Sequence, residues 1–190
     1  MPAMPSPSPS SRPPRRFGAA AWLVVPLLAG LLGGCGPKDD EFAPVCPKLA
    51  LVPDAGDISS FTGASQDVTA LISRARITDI PAKCQKVKAN TISATLNVNA
   101  DVQRGPAAGA NIPPIPYFVA LMQGDTVLRE QDFTFAPNFA ANVDRASLHG
   151  DDIELLLPIS KTKAADSYRI YVGFRLTPDQ LAYNRAHPQP

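Results

Sequence analysis

Three cysteines carry the sharpest chemistry in this sequence, and their settings differ. Cys35 ends the run Leu32-Gly33-Gly34-Cys35, where an aliphatic residue and two residues without bulk lead to a nucleophilic thiol. Upstream, Arg12, Arg15 and Arg16 precede residues 17–32, a stretch without a charged residue. Positive charge, an apolar run and then small residues form the three-part layout of a secretory signal. The two glycines let an extended backbone pass a narrow peptidase site while Leu32 fills an apolar subsite. A membrane-spanning helix fits less well, because about 16 apolar residues interrupted by Pro26 fall short of the roughly 20 that a bilayer requires.

These four residues resemble the lipobox of bacterial lipoprotein precursors. The resemblance implies diacylglyceryl transfer to the Cys35 sulfur and cleavage just before it, so that residues 1–34 are a signal peptide and Cys35 opens the mature chain. Two or three acyl chains on one cysteine anchor a protein stably where a single chain would not. Arg15-Arg16-Phe17 is a partial match to a twin-arginine export signal, with ordinary unfolded export the favoured route. Gly36 stands where lipoproteins kept at the enterobacterial inner membrane typically carry Asp, which favours the outer membrane and a periplasm-facing domain.

Cys46 and Cys84 remain as an even pair in an exported chain, where disulfides persist. They lack C-x-x-C spacing and neighbouring histidines, so a structural bridge is expected rather than a redox or metal site. His149-Gly150-Asp151-Asp152 is the one place where a histidine meets carboxylates, but adjacent turn residues rarely converge on one point, and a solvated turn is expected. His187 lies in a proline-rich tail that is expected to fray. Gly63-Ala64-Ser65-Gln66-Asp67 offers a serine and an acid yet departs from the G-x-S-x-G elbow. No phosphate-cradling glycine loop and no H-E-x-x-H motif occurs. The expectation is no catalytic residue, no metal and no cofactor.

Charge points the same way. The signal holds three of the 18 basic residues and none of the 17 acidic ones, leaving the mature part at 15 against 17, a net −2. No basic block suggests nucleic acid. About 156 mature residues suffice for one domain with its own core. Six of the 21 prolines lie in residues 1–16, a leader outside the fold. Residues 35–48 read as the lipidated cysteine and an acidic, proline-marked tether, reaching at most roughly 40 Å, with the domain proper over residues 49–190.

Residues 91–102 alternate without a break, with Ile92, Ala94, Leu96, Val98, Ala100 and Val102 against polar odd-numbered neighbours, which predicts one twelve-residue strand with one wet face. Tyr168, Ile170, Val172, Phe174 and Leu176 repeat the pattern. Residues 115–123 are apolar on both faces, as in a central strand. Asn111, with Pro113, Pro114 and Pro116, forms a stiff lead-in to it or an exposed recognition segment, the lead-in being favoured. Gly124-Asp125 suits a two-residue hairpin turn into residues 126–135. With residues 49–52, 73–78 and 153–159 this makes about seven strands. Thr177-Pro178-Asp179-Gln180 signals a capped helix to about Ala186. The fold class is therefore all-β, an antiparallel sandwich of immunoglobulin or fibronectin type with a short C-terminal helix, in which Tyr168 could serve as a corner tyrosine.

The segment from Val172 to Arg185 also resembles the close of small exported proteobacterial lipoproteins with no assigned activity, and the likeness extends loosely back to Asp54. It implies family membership and no mechanism. Arg169, Tyr171, Arg175 and Arg185 could form a partner surface near the last strand and helix, against the plainer reading of a solubilising face. The expected function is a non-catalytic protein-interaction or assembly module, held to the membrane by its lipid and partnered by another envelope protein. A small-molecule or glycan binding protein is the alternative, and an envelope hydrolase a distant third.

Overall fold

The computed structural model describes residues 45–188. The signal, Leu32 to Cys35, and most of the tether lie outside the described residues. Eleven strands and one helix form in the order β1 (Lys48–Leu51), β2 (Asp57–Phe61), β3 (Leu71–Asp79), β4 (Ala82–Lys88), β5 (Thr91–Leu96), β6 (Asn99–Arg104), β7 (Ile115–Gln123), β8 (Thr126–Phe135), β9 (Arg145–His149), β10 (Ile153–Pro158), β11 (Tyr168–Phe174) and α1 (Pro178–Ala186). Among the described residues, no helix is long and apolar enough to cross a membrane.

The front sheet runs β1-β11-β7-β8, all antiparallel except for the parallel pair β1 and β11. Facing it are two shorter sheets, β10-β5-β4 and β2-β3-β6-β9. They are two halves of one bent layer. The arm of β3 and β4 turns at Ile80 and Pro81, returns as β5 and β6, and is flanked by the arm of β9 and β10. Backbone bonds carry the ladder over the bend, from Asn97 N–H to the Pro81 carbonyl at 3.0 Å and from Gly150 N–H to the Val98 carbonyl at 2.9 Å. Proline, with no N–H to leave unpaired, suits such a corner. The expected all-β sandwich therefore forms, with eleven strands instead of about seven.

The predicted strand over residues 91–102 is corrected to two, β5 and β6, which belong to different halves of the bent layer. Its inward positions hold across the corner, since Ile92, Ala94, Leu96, Val98, Ala100 and Val102 are all buried. The wet face is interrupted. Ser93 is fully buried, its hydroxyl donating to Glu154 Oε1 at 2.6 Å, and Asn97 spends its amide across the bend on the Gly150 carbonyl.

Those inward side chains meet Tyr117, Val119 and Leu121 of β7 and Ile170, Val172 and Phe174 of β11 in one core. Tyr117 stacks between Phe133 and Phe135 at ring separations of 5.3 and 4.3 Å. The β7–β8 hairpin turns at Gly124 with φ +56°, the conformation expected of it. At the helix, Thr177 Oγ1 accepts from Gln180 N–H at 3.2 Å and Gln180 Oε1 accepts from Thr177 N–H at 2.9 Å, the capping box read in the sequence.

Candidate interaction surfaces

The cysteine pair closes the side of the sandwich where the chain enters. Cys46 precedes β1 in the front sheet and Cys84 lies on β4 in the bent layer, and the two form a disulfide with Cα atoms 5.7 Å apart. The bridge therefore ties the two layers at an edge where neither strand has a second neighbour.

Of the four residues suggested as a partner surface, the structure brings two together. Arg169 and Tyr171 alternate outward on β11, opposite Met122 and Ala120 of β7 and beside Lys48 and Ala50 of β1. Arg175 is committed elsewhere. Its guanidinium lies 4.4 Å from the centre of the Phe118 ring, reaches Glu130 at 2.6 Å and also pairs with Asp132. Hydrogen bonds to Asp132 first and Glu130 second push its pKa above the usual arginine value. Arg185 pairs with Asp54 at 3.2 Å, beside the loop that follows β1.

The remaining chemistry-bearing residues separate. His149 is the last residue of β9 rather than part of a turn, and its Nδ1 donates to Asn99 Oδ1 at 2.8 Å. His187 caps α1 instead of lying in a frayed tail, with its ring stacked 4.3 Å from that of Tyr183. Ser65 donates to Asp67 Oδ2 at 2.9 Å in an exposed loop. Among the described residues, no three His, Cys, Asp or Glu side chains converge on a metal position. The proline run is a strand lead-in, with Ile112 buried and the Pro116 carbonyl accepting from Arg175 N–H at 2.9 Å.

The sequence reading missed a groove on the outer face of β2, β3, β6 and β9. Two cross-strand rows floor it, set by the register of the four strands. One row is Asp57, Arg76, Asp101 and Ser147, and the next is Ser59, Arg74, Gln103 and Arg145. In the first row Arg76 Nε donates to Asp57 at 2.7 Å and the Ser147 hydroxyl donates to Asp101 at 2.8 Å, so one carboxylate there is paired with a cation and the other only with a neutral hydroxyl. The second keeps its charge. Arg74 has only neutral partners, the Ser59 and Tyr183 hydroxyls, each at 3.4 Å, and Arg145 has no carboxylate partner among the described residues.

Strands stand about 4.8 Å apart, so two guanidinium groups rise from backbones roughly 10 Å apart with the Gln103 amide between them. The groove has a volume of about 470 Å³ and lies open on the sheet. Its members are invisible in sequence, because β2 and β9 are only five residues each, too short for a clear pattern, and the row exists only once four strands are in register. Forked donors of this kind take up carboxylate or phosphate oxygens two at a time.

No family model, no curated protein and no solved structure matches the chain.

Proposed function

We propose that this protein is a lipid-anchored, non-catalytic binding module of the cell envelope, whose partner is an envelope protein bearing acidic groups. The carrying observation is the row of Arg74, Gln103 and Arg145, two arginines without carboxylate partners aligned on an open, rigid sheet face. A flat groove with charge held on strands suits a protein surface, because the donors are already positioned and little ordering entropy is lost on contact. Supporting the anchor are Leu32-Gly33-Gly34-Cys35 and the charged, apolar and small-residue order before it. The domain follows Cys35 by a short acidic tether, which would hold it close to the periplasmic face of the membrane, the outer membrane being preferred on the identity of Gly36.

Two measurements test this reading. Metabolic palmitate labelling should mark the wild-type chain and leave a Cys35→Ser variant unmarked; a labelled Ser variant rejects the anchor. Cross-linking in the native host should capture an acidic envelope protein that is lost in Arg145→Glu. Native mass spectrometry of the purified protein carrying a sugar acid or other small anion would favour the glycan or small-molecule alternative instead.

A further inference from the structure

Lysine and arginine are segregated in this fold. Every lysine of the described residues lies on β1, on β4 or in the loop between β10 and β11, namely Lys48, Lys83, Lys86, Lys88, Lys161 and Lys163. All four ion pairs among the described residues use arginine, so none of these ammonium groups is neutralised there.

Their neighbours join most of them into one surface. Lys48 stands two residues after Cys46 and Lys86 two residues after Cys84, and the disulfide holds those two points 5.7 Å apart at Cα. Lys48 is the register partner of Arg169 on β11. Arg169 follows Tyr168, whose ring lies 5.0 Å from the Lys163 ammonium. Lys161 belongs to the same loop, whose Ile159 N–H bonds the Asn90 carbonyl at 2.9 Å, and Asn90 follows Lys88 in the turn out of β4. Asp125 and Asp166 are the acids near this end, so cations outnumber them. Lys48, Lys86, Lys88, Lys161 and Arg169 are exposed.

We infer that this lysine-rich end docks on an anionic phospholipid surface and so sets the orientation of the domain. The inference rests on the lipid-anchored reading for its setting. The surface surrounds the point where the chain arrives from Cys35, which makes it the part of the domain that a lipid anchor would bring nearest to headgroups. Lysine ammonium groups on flexible stems suit a diffuse layer of lipid phosphates, where no fixed bidentate geometry is on offer. Docking this way brings the ends of edge strands β1 and β4 and the β10–β11 loop to the lipid and leaves the other half of the bent layer, with β2, β3, β6 and β9 and the Arg74–Arg145 groove, farther from it. The competing occupant is the chain's own Asp39-Asp40-Glu41, which precedes Cys46 by a few residues.

The test uses the mature chain carrying Cys35→Ser, so that no acyl chain contributes, and sedimentation with vesicles. Vesicles of equal parts phosphatidylcholine and phosphatidylglycerol should bind it, pure phosphatidylcholine should not, and added salt should release it. The variant Lys86→Gln, Lys88→Gln, Lys161→Gln, with its fold checked by circular dichroism, should bind about a hundredfold more weakly, at roughly fivefold per basic residue. Salt-insensitive or absent binding, or equal binding by the triple variant, overturns the inference. Binding that emerges only after Asp39, Asp40 and Glu41 are neutralised also overturns it, because the lysines then hold the tether. Palmitate labelling is independent of this assay, so a failed anchor and a failed docking surface are told apart.

Discussion

The Tyr168 hydroxyl donates to the backbone carbonyl of Pro158 at 2.6 Å, from a side chain with no solvent exposure. The bond spans the loop from β10 in the bent layer to β11 in the front sheet, and so fixes where the chain changes layers. Tyr168 is thus the corner tyrosine suggested by its place at the start of a late strand.

Tyr168→Phe keeps the ring and removes one donor, leaving a carbonyl acceptor without it. The expected loss is about 1–2 kcal/mol. Urea unfolding should show a lower midpoint with an unchanged slope, since the surface exposed on unfolding is the same. An unchanged midpoint would mean that the corner bond contributes nothing.

Gly150 and Tyr117 form a second tight contact. A Cβ on Gly150 would lie 2.5 Å from the Tyr117 hydroxyl and 3.1 Å from the Val98 carbonyl. Gly150→Ala should therefore cost about 1–3 kcal/mol through overpacking, and the cost should shrink in a Tyr117→Phe background, where the nearest atom is gone. Equal costs in the two backgrounds would reject the contact.

The same phenol responds to alkali. Burial first, and the Asp151 carboxylate second, hold the Tyr117 pKa above its ordinary value. The folded state then binds this proton more tightly than the unfolded chain does. Its contribution to stability is complete below the unfolded phenol's pKa, about 10, and is lost as pH rises from there through the folded value. Denaturant midpoints measured upward from neutral pH should fall more steeply above pH ~10 in the wild type than in Tyr117→Phe.

A substitution scan of residues 91–103 should divide by parity with two exceptions. Aspartate at Leu96 or Val102 buries a charge without a partner and should unfold the domain, whereas Gln103→Asp on the outer face should stay within roughly 0.5 kcal/mol. Ser93 and Asn97 are odd-numbered yet should be intolerant, since Ser93 is buried and Asn97 bridges the bend. Asn97→Asp places a carboxylate against the Gly150 carbonyl and near Asp152, so the near-neutral outcome that a simple wet face implies does not apply.

Opening the bridge by Cys46→Ser with Cys84→Ser should cost about 2–4 kcal/mol in protein folded under oxidising conditions. Thiol titration of the unfolded, unreduced wild-type mature chain bearing Cys35→Ser should find no reactive thiol, and two reactive thiols would refute the bridge.

What local sequence determined here is what burial or capping writes into consecutive residues. β7 and β11 are legible because each buries one whole side, β8 because Gly124-Asp125 turns the chain back into it from β7, and α1 because Thr177, Pro178 and Gln180 satisfy its first turn without help from elsewhere. The three strands that escaped notice, β2, β4 and β9, all lie at sheet edges. An edge strand is paired on one side only, so its residues can stay polar and its pattern weak. Only the tertiary structure decided that residues 91–102 turn a corner, because Pro81, Asn97 and Gly150 meet there from three separate arms. The Arg74, Gln103 and Arg145 row and the lysine-rich end have the same origin. Each gathers residues far apart in the chain whose adjacency follows from strand register and a disulfide, and neither leaves a local signal to read.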